Sequence, residues 1–173
     1  MPKDNLEELL PLCNERGEIT GSATRGACHS GSRLMHPVVH LHVFNSDGDV
    51  YLQKRPLWKQ IQPGKWDTAV GGHMDLGEDF ETAIRREAKE ELGLEGFDCR
   101  HLMSYVFDSK VERELVVVFT TTYEGPFRLS DEVVDGRFFS LEEIRKNTGK
   151  GILTPNFETE IQKVMEVLGK ELP

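Results

Sequence analysis

The sequence is poor in cysteine, in positive charge and in long apolar runs, and each shortage excludes something. Its 173 residues include three cysteines, Cys13, Cys28 and Cys99. They are odd in number, widely spaced and form no CxxC pair, so no disulfide framework is readable and a reduced, cytoplasmic setting is the simplest expectation. Lys and Arg total 21 against 30 Asp and Glu, a formal net charge of −9. That deficit argues against a nucleic-acid polymer or an anionic membrane as partner, because either needs a basic face. No apolar stretch approaches the length of a membrane span. The first residues, MPKDNLEELLPL, are acidic and lack a basic start followed by an apolar run, so no secretory leader is expected. Neither an internal repeat nor a low-complexity linker breaks the chain.

What is present is ordinary globular composition, with 38% hydrophobic and 29% charged residues. The length suits a single domain over 1–173 built on one core. Residues 6–20 suggest a strand, a turn at Asn14–Gly17 and a second strand, whereas 21–36, rich in Gly, Ser, Ala and His, read as irregular. Val38–Phe44 and Val50–Gln53, joined by Asn45-Ser46-Asp47-Gly48, form a hairpin pattern. Pro56 and Pro63-Gly64 bracket a loop, and a short strand is expected over Trp66–Val70. Strands follow at 97–107, 114–123 and 136–140, and the run Leu115–Phe119 reads as buried on both faces. Helices are expected at 141–146 and 155–168, the latter opened by Pro155. The clearest helix is 81–92: Phe80, Ile84, Ala88 and Leu92 recur at four-residue steps, and Gly93 stops it. This order of elements gives an α+β fold, an α/β/α arrangement around a mixed sheet.

Chemistry concentrates in residues 72–94, GHMDLGEDFETAIRREAKEELGL, where a glycine-containing loop runs into a helix dense in carboxylates. At 100° per residue, Glu91 lies about 40° to one side of Glu87 and Glu90 about 60° to the other. Like charges so close are unfavourable on a bare helix, and a hard divalent cation with oxygen ligands removes the penalty. Mg²⁺ takes few carboxylates and keeps room for substrate phosphates, which makes the arc a candidate diphosphate site. A blander reading stands beside it, in which Arg85, Arg86 and Lys89 simply neutralise a solvated acidic face.

The spacing decides between them. Gly72, five residues, Glu78, seven residues, Arg86-Glu87, Ala88, one residue, Glu90-Glu91, one residue, Gly93 and Leu94 match the Nudix box at every defined position, although Ala88 is small for its apolar slot. The chain therefore resembles the Nudix superfamily and its α/β/α fold. That resemblance implies that Glu87, Glu90 and Glu91 bind Mg²⁺ or Mn²⁺. It implies that Glu78 and Arg86 pair to hold the loop, with Glu78 also close to a metal. Gly72 would allow a tight turn with its carbonyl toward the metal. The implied reaction is attack of an activated water on a diphosphate in a nucleoside diphosphate-type or related small substrate. Glu91 is the first choice for general base, with the other glutamates left open.

A second constellation comprises His29, His36, His73, Glu112 and Glu114. Three imidazoles and two carboxylates suit an octahedral-type site for Mn²⁺, Mg²⁺ or Zn²⁺. Residues 10–145 resemble the superfamily branch that includes type 1 isopentenyl-diphosphate isomerases, through HPVVHLHVFNSDGDVYLQKR, PGKWDTAVGGH and ERELVVVF. In those enzymes the matching histidines and glutamates hold a metal beside the reacting carbons, which implies a second metal here. The departures favour hydrolysis over isomerisation. The isomerase's catalytic cysteine falls at Gly71, the Nudix box is complete, and Thr154-Pro155-Asn156-Phe157 lacks the tryptophan expected over a carbocation. A non-catalytic nucleotide-sensing module is the third reading, and it has no need of the full acidic set.

Further candidates are weaker. Lys54, Arg55 and Lys65 could hold phosphate oxygens, Trp58 could stack on a base, and Trp66 suits core packing better. His40 and His42 either face the pocket or are ordinary strand residues, and Asp131-Glu132 could supply a late carboxylate. A homodimer is compatible with all of this but not required by it.

Overall fold

A computed structural model of the chain describes residues 5–170. A hairpin comes first, β1 (Leu9–Cys13) against β2 (Ile19–Thr24). The turn between them is tied by Asn14, whose Oδ1 accepts from the backbone N–H of Arg16 and Glu18. Residues 21–36 are thus not irregular throughout. β2 occupies their start, and α1 (Arg25–Cys28) follows as a single turn capped by the Thr24 hydroxyl, which accepts from the Ala27 N–H at 3.1 Å. The small side chains of this stretch carry no hydrophobic period, so backbone pairing and a cap specify it instead.

The main sheet holds β3 (Met35–Phe44), β4 (Val50–Lys54), β5 (Trp66–Thr68), β6 (Val70–His73), β7 (Arg100–Asp108), β8 (Arg113–Thr122) and β9 (Asp135–Phe139). Its main path is β5-β4-β3-β8-β7, with β6 on β3 and β9 on β4. β3 and β8 run parallel and the other pairings are antiparallel, so the sheet is mixed. β8 is buried over Leu115–Thr121, as its continuous apolar run predicts.

The strand expected over Trp66–Val70 is two strands broken at Ala69. Asp67 and Thr68 pair with β4, whereas Val70–His73 pair with β3, so the chain changes partner across a fork in the sheet. The Gln53 side chain fills that fork, donating from Nε2 to the Ala69 carbonyl at 3.0 Å.

Helices cover both faces. α2 (Phe80–Leu92) starts at Asp79, whose side chain accepts from the Thr82 N–H at 2.7 Å, and ends at Gly93 with φ 69°. It buries Ala83, Ile84, Ala88 and Leu92 against Val39, Leu41, Val43, Val70 and Val117. After the short α3 (Leu141–Asn147), α4 (Pro155–Val167) buries Phe157, Ile161, Val164 and Met165 on the opposite face, against Val38, Leu52, Val116 and Val118. Even-numbered residues of β3 therefore face α4 and odd-numbered ones face α2. Among the described residues, no helix is long and apolar enough to cross a membrane.

Candidate active site

β6 carries the site on both of its faces. Gly72 lies in register with Val39 on the α2 side, and Gly71 and His73 lie in register with His40 and Val38 on the α4 side. Gly72 does not make the tight turn that the resemblance implies. It is extended strand, and glycine is needed because a Cβ there would collide with the Glu87 carboxyl group.

On the α2 side Arg86 organises the loop and the carboxylates. It donates from Nε and Nη2 to Glu78 at 2.8 and 3.0 Å, from Nη2 to the His73 carbonyl at 3.0 Å, and from Nη1 to Glu87 at 2.8 Å and Glu90 at 3.3 Å. Glu78 also accepts from the Asp75 N–H, so the turn before α2 is closed onto its own helix. The hydrogen bond from Arg86 outweighs burial and lowers the Glu78 pKa, and Arg86 is correspondingly raised. Glu91 reaches the fork in the sheet, where its carboxylate accepts from Gln53 Nε2 and from the Gly71 N–H, each at 3.2 Å.

Burial and crowding push two of these carboxylates up. Glu87 rises to about 7 through burial, with Glu90 and Asp75 adding to it against the pull of Arg86. Glu91 is raised well above the usual carboxylate range by burial and by Glu87, with Glu132 contributing. Of the expected late carboxylates, Glu132 is thus felt at the site. Glu90 turns outward, its side chain 58% exposed beside Arg86. The three helix glutamates do not converge as one group: among the described residues, the sets of three ligand-type side chains with donor atoms within 4.8 Å are His29–His36–His73 and His36–Glu112–Glu114. Arg86, sitting between Glu87 and Glu90, draws one oxygen of each to itself.

The second constellation comes together on the other side of β6. Its three imidazole rings stand 5.3, 5.4 and 5.3 Å apart, centre to centre. His29 Nε2 is 3.1 Å from Glu112 Oε2, and His36 Nε2 is 3.4 Å from Glu114 Oε2. His36 and Glu114 meet because they are register partners in the parallel β3–β8 pair. The His36 Nδ1 faces the Leu34 carbonyl at 3.4 Å, while its Nε2 is buried without a hydrogen-bond partner among the described residues. A buried imidazole nitrogen aimed at a carboxylate, with its other nitrogen oriented by a carbonyl, could serve a divalent cation as a ligand. His73 is kept neutral by burial, by Arg25 and by the neighbouring imidazoles, and Glu112 is raised to about 6 by burial and Glu114.

The remaining candidates resolve individually. Arg55 pairs with Asp67 at 3.3 Å and donates to the Ile61 carbonyl. Trp66 packs edge-on to Phe139, in keeping with the core reading, and the Lys54 ammonium lies 6.0 Å from its ring. The Lys59 ammonium lies 4.9 Å from the centre of the Trp58 ring. His40 and His42 both reach the buried carboxylate of Glu160 on α4. Glu160, Tyr105 and Gln53 escaped the reading of the sequence. One signal was available: Glu160 sits within the helical stripe Phe157, Ile161, Val164, where an acid needs partners.

A family model for the NUDIX domain matches residues 34–157. The chain belongs to the Nudix family. Nudix hydrolases generally cleave diphosphate bonds and generally use divalent metals such as Mg²⁺. The chain is 32% identical over 143 residues to an uncharacterised Nudix hydrolase of Pseudomonas aeruginosa, spanning 80% of this chain and 84% of that one. It is 35% identical over 138 residues to an isopentenyl-diphosphate Delta-isomerase of Leifsonia xyli subsp. xyli, spanning 74% of each. Among solved structures, protein DR0079 of Deinococcus radiodurans superposes with a TM-score of 0.76 at 25% identity, over 91% of this Nudix chain and 99% of that one.

Proposed function

We propose that the chain, taken as one Nudix domain over 1–173, is a divalent-metal-dependent diphosphohydrolase acting on a nucleoside diphosphate-type or related small substrate. The observation that carries this is the seating of Glu87 and Glu91 against the Gly71–Gly72 strand, with Arg86 locking Glu78 and the His73 carbonyl beneath them. Glu87 and Glu91, with the Gly72 carbonyl, would hold Mg²⁺ or Mn²⁺, and Glu90 would complete the set by turning in from its outward position beside Arg86. When bound, the cation supplies charge neutralisation at the diphosphate and Lewis acidity. The raised carboxylates fit that group, since a hard cation relieves the burial and repulsion that now favour their protonated forms.

The residues divide the remaining work. Arg86 and Glu78 fix the loop so that the strand and helix keep their spacing. Glu91, oriented by Gln53 and the Gly71 N–H, would take a proton from the attacking water, its ionised form being the one that the bound cation favours. His29, His36, His73, Glu112 and Glu114 would hold a second divalent cation, supported by the buried, unbonded Nε2 of His36. The isomerase reading is disfavoured because Gly71 has no side chain to move a proton.

The test is product release from nucleoside di- and triphosphates, dinucleotides and prenyl diphosphates with Mg²⁺ or Mn²⁺. Hydrolysis by the wild type and its loss in a folded Glu91→Gln variant is the expected result. Isomerisation of a labelled prenyl diphosphate without hydrolysis would overturn the proposal in favour of the isomerase reading. Binding of nucleotides without turnover would favour the sensing module.

A further inference from the structure

The α4 side of β3 holds a second set of buried titratable groups that the hydrolytic machinery does not use. Glu160 is 1% exposed, and its carboxylate is met by three partners. His40 Nδ1 lies 2.9 and 3.0 Å from its two oxygens, His42 Nε2 lies at 2.7 Å, and the Tyr105 hydroxyl donates at 2.6 Å. A carboxylate this buried needs such company, and its partners on β3 and β7 both reach across to it on α4. His42 is 1% exposed and serves the carboxylate alone. His40 differs. Its side chain is 23% exposed, and its Nε2 has no hydrogen-bond partner among the described residues.

Where that free edge points is set by Gly71. A Cβ at 71 would find His40 Cδ2 at 3.3 Å and Nε2 at 3.6 Å and no other atom within 4 Å outside its chain neighbours. The missing side chain thus leaves a recess whose wall is the His40 ring. The backbone N–H of the same residue donates to Glu91, so the recess and the carboxylate site meet at one peptide.

We propose that His40, fixed through Nδ1 by Glu160, is a substrate-positioning residue whose Nε2–H donates to an anionic oxygen of the diphosphate, or of a group attached to it, in the recess at Gly71. The inference rests on the diphosphate reading for the identity of the ligand. Glu160 is the residue that positions His40: by accepting from Nδ1–H it fixes the ring's orientation, and in the doubly protonated ring Nε2–H is then the outward donor. Burial disfavours a charged imidazole here, but Glu160, with Asp67 and Glu114 adding, more than offsets it, so His40 is cationic at neutral pH. A charge-assisted bond from a pre-oriented donor is the strong kind.

The experiment uses the full chain labelled with ¹⁵N-histidine, titrated with methylenediphosphonate, a non-hydrolysable diphosphate, in the presence of Mg²⁺. A saturable shift of the His40 Nε2 resonance is expected. Gly71→Ala, which fills the recess at the cost of only a slight displacement of the His40 ring, is expected to weaken the probe about tenfold with Tm retained, and His40→Gln to raise KM by about the same factor while kcat moves less. Glu160→Gln should shift the His40 Nδ1 resonance and raise KM as His40→Gln does. A saturated probe that leaves His40 Nε2 unmoved overturns the inference, as does a probe that does not bind or a Gly71→Ala variant that binds it as tightly as wild type. If no substrate is hydrolysed while the probe still shifts His40, the hydrolase reading fails and the anion site stands. If hydrolysis is seen without that shift, the reverse holds.

Discussion

The two faces of β6 make polar sites by opposite routes. On the α2 face the carboxylates come from residues 78–91, a helix and its preceding turn, and one arginine spaces them. On the α4 face the imidazoles and carboxylates come from residues as distant as His29, His73, Glu114 and Glu160, and the register of β3 with β6 and β8 brings His36, His73 and Glu114 together. The first face is anionic and its carboxylates are pushed toward protonation. The second holds neutral His73 beside cationic His40 within one layer of side chains. A site built from one helix can be maintained by local geometry, whereas a site built from register depends on the whole sheet. One peptide, Gly71-Gly72, belongs to both.

The largest effects should come from the α2 face. Glu91→Gln is expected to lower kcat by about 10²–10⁴-fold, the range for removing a general base, with the circular-dichroism spectrum unchanged. Glu87→Gln should weaken binding of Mg²⁺ and cut the rate strongly, and unchanged activity in either variant would remove the assigned roles. Arg86→Gln comes next. Its loss frees the loop from the helix without removing a ligand, and a misplacement of about 1 Å is enough for roughly 10²-fold. Kinetics at saturating metal check this: recovery with excess Mg²⁺ would mean that Arg86 acts on metal affinity and not on geometry.

The faces also differ in how legible they were. Glu87, Glu90 and Glu91 follow from spacing along one helix, because 3.6-residue periodicity places side chains without knowledge of the fold. What spacing does not convey is that Arg86 draws Glu90 outward, since that depends on the loop carrying Glu78 and the His73 carbonyl. The α/β/α layers follow from the apolar stripes of α2 and α4, but the split of 66–73 at Ala69 does not, because only the forked pairing of β4 and β3 requires it. On the α4 face, His36 opposite Glu114 depends on a register between strands 78 residues apart that no local pattern encodes, and it was reached through resemblance to a family. Glu160 needed neither: an acid in an apolar stripe and two alternating histidines were visible, but which element joined them was not.

Smaller effects are expected from the register-built metal set. His36→Ala should leave basal hydrolysis partly intact, lower by about tenfold or less, while the affinity for a second equivalent of Mn²⁺ falls by about 10–100-fold. Titration of the metal-free protein by calorimetry separates the two sites. Complete loss of turnover in a folded His36→Ala variant would show that the two faces work as one centre, and the contrast drawn between them would dissolve.

The smallest effect concerns stability, and its sign follows from two opposed shifts. His40 is raised from 6.5 to about 9, so the stability it contributes is fully present below about 6.5 and is lost as pH rises through about 9. Burial alone would raise Glu160, but His40 and His42 hold it well below 4.5, so its contribution is present above 4.5 and is lost as pH falls through its folded value. The pair therefore stabilises α4 on the sheet most fully between about 4.5 and 6.5, with loss on either side. Between pH 6.5 and 9.5 the wild-type Tm should fall by roughly 2–4 °C more than that of His40→Gln, the shift expected of about 1 kcal/mol in a chain of this length. The α2 face cannot produce this difference, because its carboxylates are untouched by the substitution and cancel between the two proteins. Parallel Tm profiles over that range would mean that His40 is not charged against Glu160, and the α4 face would then differ from the α2 face in assembly alone and not in the sign of the charge it presents.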